Sequence, residues 1–165
     1  MPTVPEQKTA ALEKMRLYCQ PSLEPKLDDP GDLEAVLDAR KRADTWAAAT
    51  AYTYGQVVLP TVRNGHRYRC VQAGTSGATE PVWLKSQGEQ QSDGTSSPVL
   101  TWEEAGPDFD NVYDIRGAIH DAWMLKAVKA SLSVDMSQQV GGIQASQIYD
   151  HCVEMARKFA PVDIA

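Results

Sequence analysis

The chain lacks any run of the roughly 18 to 20 apolar residues that a membrane-spanning helix requires. Its start, Met1-Pro2-Thr3-Val4-Pro5-Glu6-Gln7-Lys8, is polar and has no hydrophobic region of a signal peptide. The expectation is a soluble protein made in a cytoplasm, with no membrane partner. Three cysteines, Cys19, Cys70 and Cys152, are an odd number, widely spaced and without a Cys-x-x-Cys pair. That spacing excludes a disulfide framework and a zinc finger, and leaves buried, reduced thiols as the expectation. Catalytic signatures are missing as well: there is no Gly-x-Ser-x-Gly, no phosphate loop and no His-Glu-x-x-His. Glu103 and Glu104 are adjacent, so on a strand they point to opposite faces. His120 stands next to Asp121 with no second histidine or carboxylate at ligand spacing, and Cys152 next to His151 lies about 100° away from it on a helix. No enzyme, metal or cofactor is expected. With 16 basic against 22 acidic residues and a net charge of −6, the chain also lacks the cationic excess of a sequence-independent nucleic-acid binder.

What is present is a β-patterned, turn-rich stretch, 52–104, set between helical segments. A length of 165 residues with 42% apolar content suits one helical core that carries a small appended module. Tyr52 to Pro60 and Arg63 to Gln72 read as a hairpin turned at Asn64-Gly65, a dipeptide that accepts positive φ. Tyr68 and Cys70 alternate with Arg67, Arg69 and Val71, so one face of the second strand is buried. Two glycines and Pro81 then interrupt regular structure, and Lys85 to Pro98 is almost purely polar, with a turn at Asp93-Gly94. Val99 to Glu103 supplies a closing strand with Leu100 and Trp102 on one face. The expected sheet has three or four short antiparallel strands pinned by Tyr54, Tyr68, Trp83 and Trp102. These aromatics either fill a core too small to close otherwise or present a flat platform to a sugar ring.

Helical periodicity appears on both flanks. Ala11, Leu12, Met15 and Leu17 mark a first helix ended by Pro21. A second is expected from Asp29, as cap before Pro30, through Leu33, Val36, Leu37 and Ala43. Its basic end, Arg40-Lys41-Arg42, reads as a solvated face. Ile115, Ala118, Ile119, Ala122, Trp123, Leu125 and Val128 define a third helix, the most apolar and so expected at the centre, with Lys126 and Lys129 exposed. Ser133 to Gly142 reads as a polar loop, within which Gln138, Gln139, Gly141 and Gly142 are candidates for a flexible segment that orders against a neighbour. A fourth helix, to Phe159, buries Ile148, Cys152, Met155, Ala156 and Phe159, and Pro161 stops it. The fold class is thus α+β: an antiparallel bundle of about four helices, 1–50 with 107–165, and a small antiparallel sheet, 51–106, inserted between the second and third.

Two resemblances attach to these residues. Tyr54-Gly55-Gln56-Val57-Val58, Gly65-His66-Arg67-Tyr68-Arg69-Cys70, Ala73-Gly74-Thr75-Ser76-Gly77, Glu80-Pro81-Val82-Trp83, Asp93-Gly94-Thr95 and Leu100-Thr101-Trp102 occur in order. The succession resembles a small β-module recurrent in virion proteins of tailed bacteriophages and, more loosely, the chitin-binding modules of secreted glycosidases. Ala118-x-x-x-Ala122-Trp123-x-x-Lys126-Ala127, then Asp135, then Ser146-Gln147-Ile148-Tyr149-x-His151-Cys152-x-x-Met155-Ala156-x-x-Phe159 resembles the C-terminal half of head-to-tail connector proteins, the adaptors of long-tailed phages. That resemblance implies a structural virion protein of the neck. Its copies would form a ring under the portal protein, a dodecamer by family resemblance, that meets a stopper below and lets DNA pass without sequence-specific binding. It also implies a C-terminal segment against the portal, which makes Phe159, Pro161, Val162 and Ile164 the portal-facing candidates. A carbohydrate-binding or other ligand-binding β-module on a helical domain is the alternative.

Overall fold

Between Arg42 and Val112 the chain forms strands, and on either side of that stretch it forms helices. The computed structural model describes residues 3–22, 25–95, 97–136 and 142–160. Among these the chain is mixed α+β and divides into two compact units. One spans Arg42 to Val112; the other comprises the residues through Lys41 together with those from Tyr113 onward.

In the helical unit, α1 (Val4–Cys19) opens on a capping box in which Thr3 and Glu6 satisfy each other's backbone N–H groups. It ends at Gln20, whose left-handed backbone (φ 44°) lets its N–H donate to the Arg16 carbonyl. Gln7, Ala11, Leu12, Met15 and Cys19 form its buried stripe. The second helix, α2 (Gly31–Ala39), buries Leu33 and Leu37. It differs from expectation at both ends. Pro30 stands at the cap without a side-chain hydrogen bond, because the Asp29 carboxylate is taken by the Arg16 guanidinium at 2.8 Å. Arg40 already lies past the last turn, so Ala43 is outside the helix and belongs to the strand unit.

The third helix, α3 (Ile115–Met136), packs against α1, α2 and α4 (Gly142–Lys158). It includes Ser133 to Met136, which the sequence places in a loop. Lys126, expected on the exposed side, is 1% exposed. Its Nζ donates to the Gln20 carbonyl at 2.8 Å and lies 4.9 Å from the Trp123 ring centroid. A lysine can enter an apolar stripe when its charge meets the free carbonyl of a helix C-terminus and an aromatic face. Lys129 is bonded to Asp32 at 2.5 Å. Among the described side chains of α4, Cys152 and Ala156, one turn apart, are buried and Met155 is half-buried, as is Phe159 just past its end. Ile148 is exposed, contrary to the periodic reading: residues 146–151 are all exposed, and the helix meets the core from Cys152 onward.

The strand unit holds a five-stranded sheet in the order β1 (Asp44–Thr45), β3 (Val57–Leu59), β4 (His66–Gln72), β7 (Leu100–Pro107), β6 (Gln90–Asp93). A separate two-stranded sheet joins β2 (Ala51–Tyr52) to β5 (Gly74–Thr75). The main sheet is mixed, since β1 runs parallel to β3 while the other pairs are antiparallel. The expected hairpin is present, with Val57 opposite Arg69 and Val58 opposite Tyr68, and Gly65 has φ 87° in the connection. The unit is wider than the 51–106 boundaries, because β1 precedes them and the Arg42 N–H donates to the Val112 carbonyl at 2.8 Å. In the helical unit, Lys41 bridges Tyr113 and the Asp114 N–H donates to the Arg40 carbonyl at 3.0 Å. Chain departure and return are therefore laddered side by side.

Inside the strand unit, Trp46, Tyr52, Val58, Tyr68, Cys70, Leu100 and Trp102 form the core, with Trp83 packed against it. Its polar centre is Asp93, 3% exposed. Asp93 Oδ2 accepts from the indole N–H of Trp46 at 2.7 Å and of Trp102 at 2.9 Å, and Oδ1 accepts from the Gly77 N–H at 2.8 Å. The next residue, Gly94, has φ 78°, and a Cβ there would stand 2.8 Å from the Thr75 carbonyl. Replacing Asp93 with Asn keeps the size but turns one acceptor edge into a donor that faces an N–H. We expect Asp93→Asn to lower unfolding stability by about 2–3 kcal/mol in urea titrations followed by tryptophan fluorescence. Trp46→Phe, which removes one donor and leaves the carboxylate intact, should cost about 1 kcal/mol from the lost hydrogen bond.

Candidate functional site

Of the portal-facing candidates, Phe159 is described, whereas Pro161, Val162 and Ile164 lie outside the described residues. Phe159 follows the last turn of α4, and its N–H donates to the Ala156 carbonyl at 2.9 Å. Its ring meets Tyr18 edge-on, with centroids 5.7 Å apart. Arg116 at the start of α3 closes the end of α4: Nε donates to the Ala160 carbonyl at 3.2 Å and Nη2 to the Lys158 carbonyl at 3.3 Å. Together Lys14, Tyr18, Ile115, Arg116, Ile119 and Phe159 line a groove of ≈ 250 Å³. Helical spacing places it there, since Lys14 and Tyr18 on α1, and Ile115 and Ile119 on α3, are each four residues apart and share a face. Of the loop candidates, Gln138, Gln139 and Gly141 lie outside the described residues, and Gly142 is the first residue of α4.

The four aromatics named for the strand unit separate. Tyr68 and Trp102 are buried at 1% and 0%, Trp83 is half-buried, and Tyr54 is 74% exposed. Tyr54 therefore does not pin the sheet; it sits at the turn between β2 and β3, where no strand covers it. Trp83 stacks on Tyr68 with centroids 4.2 Å apart, and its N–H donates to Glu80 Oε1 at 2.7 Å. Glu80 also takes the Thr61 N–H at 2.9 Å and the Thr61 hydroxyl. This fastening leaves an open groove of ≈ 330 Å³ beside Trp83, with Pro60, Pro81 and the exposed Val62 and Val82 on its walls and Lys85 at its edge.

The titratable residues weighed from the sequence have structural partners. His120 Nδ1 lies 3.0 Å from Asp121, and the Arg40 guanidinium forks onto that carboxylate at 2.6 and 2.8 Å. Glu103 pairs with Arg69 at 3.1 Å. The buried neighbour Glu104 meets His66 Nδ1 at 2.8 Å and takes the Gly106 N–H at 3.0 Å, which holds the end of the β4–β7 pair next to its register shift. All three cysteines are buried; burial pushes the Cys19 thiol up to about 12 and also raises Cys70 and Cys152. Among the described residues no group of three or more histidine, cysteine or acidic side chains could hold a metal ion. Likewise, no helix among them is long and apolar enough to cross a membrane.

Sequence reasoning missed the Asp93 centre, the buried Lys126 and the role of Arg116. The signals were faint: an acid followed by glycine in a polar stretch, a lysine three residues after a tryptophan, and an arginine at a helix start.

No protein-family profile matches the chain, and no solved structure matches it. The chain is similar to genome polyproteins of Potato virus Y strain Yo (33% identical over 78 residues) and of Pepper mottle virus (32% over 78 residues). The same description and 32% identity over 78 residues hold for Potato virus Y strain Chinese. The aligned stretch is 46% of this chain and between 20% and 27% of the relatives' own length. Their shared description names no activity.

The ion pairs of the helical unit set its acid behaviour. Arg40 holds Asp121 below the usual carboxylate range, Lys129 does the same for Asp32, and Arg16 for Asp29. A carboxyl whose folded pKa is depressed contributes stability above its unfolded pKa, and that contribution is lost as pH falls through the folded value. Thermal unfolding should therefore hold steady from neutral pH down to about 4 and fall below it. Asp121→Asn should flatten that fall, measured by circular-dichroism melts across the pH range.

Proposed function

We propose that the chain is the adaptor subunit of the neck of a long-tailed bacteriophage, a structural virion protein without catalysis. Copies assemble side by side as a ring below the portal, extend the DNA channel and join the filled head to the stopper and tail. In this reading α1, α2, α3 and α4 form an antiparallel bundle, with α3 central because it packs on each of the other three. The observation that carries the proposal is the insertion itself. A strand unit bearing the phage-type motif succession enters between α2 and α3, and its two ends are laddered at Arg42 and Val112. Such a closure lets a module be added to a helical subunit without lengthening the path between its helices. The net charge of −6 fits a channel through which like-charged DNA slides without adhering.

A second reading, a ligand-binding module carried on a helical domain, rests on the groove beside Trp83 with its exposed Val62 and Val82. Aromatic grooves lined by apolar side chains are the usual form of small-ligand sites. Under the adaptor reading, titration with chitin oligomers leaves the tryptophan fluorescence unchanged. A saturable shift that disappears in Trp83→Ala would instead establish the second reading.

The adaptor proposal is tested by mass photometry of the purified protein, alone and mixed with the portal of the same phage. The expected result is a complex of fixed stoichiometry that a variant without residues 161–165 fails to form. A wild-type protein that ignores the portal would overturn the proposal.

A further inference from the structure

We propose that the groove beside Trp83 is a contact between two copies of this chain, related by a two-fold axis, in which Val62 and Val82 of each copy enter the groove of the other. The inference goes beyond the adaptor reading and does not depend on it, since a ring is built from head-to-tail contacts and this contact pairs one patch with itself. Residues 59–86 are all described, so no undescribed residue interrupts the lining. The groove is held in shape by the chain itself. Trp83 stacks on the buried Tyr68 at 4.2 Å, and its N–H is held by Glu80 Oε1 at 2.7 Å. Glu80 also takes the Thr61 N–H at 2.9 Å and the Thr61 hydroxyl, so one carboxylate fastens the loop after β3 to the loop that carries Val82. Val62 and Val82 are thereby held 83% and 90% exposed on the groove walls, and little ordering is left for binding to impose.

The patch is complementary to itself in shape and in charge. A two-fold contact needs projection and recess on the same surface, and here two exposed valines flank a recess that contains a half-buried indole. Glu80 and Lys85 both line the groove, and among the described residues neither forms an ion pair. The donors on Glu80 are a backbone N–H, a hydroxyl and an indole N–H, all neutral, so its charge is not compensated within the unit. A two-fold axis through the groove sets both signs of one copy against both signs of the other, so that lysine meets carboxylate twice, whereas a lining of one sign would repel its own copy. The same residues disfavour a sugar as the occupant. Asn64 already donates to the Tyr68 hydroxyl at 2.9 Å and accepts from the His66 N–H at 3.0 Å, and Glu80 holds three donors, which leaves few groups to orient a ring of hydroxyls. Eight residues line the groove, against roughly 20 to 30 a side in a standard interface, so the pair is reversible and depends on concentration.

The test is sedimentation velocity of the full chain across a concentration series. The expected result is a reversible equilibrium between monomer and dimer that closes at two copies and weakens as salt rises. Val82→Asp, at a 90% exposed position outside the core, should raise the dissociation constant about tenfold or more. Lys85→Glu, which sets like charges against each other across the axis, should raise it as well. Tyr54→Asp, which adds the same charge at an exposed position outside the lining, should leave it unchanged, and circular-dichroism melts confirm that all three variants fold. A wild-type chain that stays monomeric throughout the series overturns the proposal. So does self-association that Val82→Asp and Lys85→Glu leave intact, which would place the contact on another face. A saturable fluorescence shift of monomeric protein with chitin oligomers would give the groove to a sugar and overturn it too.

Discussion

The strand unit depends on the buried carboxylate of Asp93. Asp93 gathers two indole N–H groups and one backbone N–H, from Trp46, Trp102 and Gly77, and these four residues come from four separate places in the chain. A sheet of strands two to eight residues long has little apolar surface with which to fix its own register. A directional acceptor does what area cannot. It orients both indole rings, and thereby sets Trp102 against Tyr52 at 4.9 Å and against Trp83 at 6.1 Å. Buried polar groups that are fully paired specify one arrangement over its neighbours, because any slip leaves a donor or acceptor unmatched in a dry interior. The glycines beside the carboxylate follow from the same constraint. Gly94 turns the chain at positive φ directly after Asp93, and a Cβ on Gly77 would stand 3.2 Å from Asp93 Oδ1.

The helical unit is held differently, by apolar stripes fastened at their ends by cations. Lys126 closes the C-terminus of α1 through Gln20, Arg116 closes that of α4 through Lys158 and Ala160, and Arg40, just past α2, reaches Asp121 on α3. Helix C-termini expose carbonyls that nothing inside the helix can satisfy, so a cation from a neighbouring helix serves both the dipole and the hydrogen-bond requirement. Three of the basic side chains that periodicity would assign to solvent, Arg40, Lys126 and Lys129, are thus committed to neighbouring helices.

This explains what was legible in the sequence and what was not. Periodicity found the helices because Ala11, Leu12 and Met15, or Ala118, Ile119 and Ala122, are apolar and buried for the same reason. Alternation found β4 and β7 because Tyr68, Cys70, Leu100 and Trp102 point to one core. Both signals count apolar residues, so both are blind to polar residues with buried partners. Gln90 to Asp93 reads as a polar loop, yet it pairs with β7, because its ladder is made by backbone and its inward residue, Asp93, is polar. The parallel pairing of β1 with β3 left no trace either, since strands of two and three residues carry too few positions to show a pattern. At the candidate site Phe159 was legible as the end of a stripe. The groove beside it was not, because its walls come from α1 and α3, which lie on either side of the strand unit in the chain, and only tertiary packing brings them together.

Each unit is closed at its own chain ends by a backbone ladder, Arg42 with Val112 in the strand unit and Arg40 with Asp114 in the helical unit. The strand unit, built around Asp93, contains its own core, and in the helical unit α3 supports three helices. Within the strand unit, exposed loop residues such as Val62 and Val82 stand outside the core that Asp93 organises, so they can be altered at little cost to it.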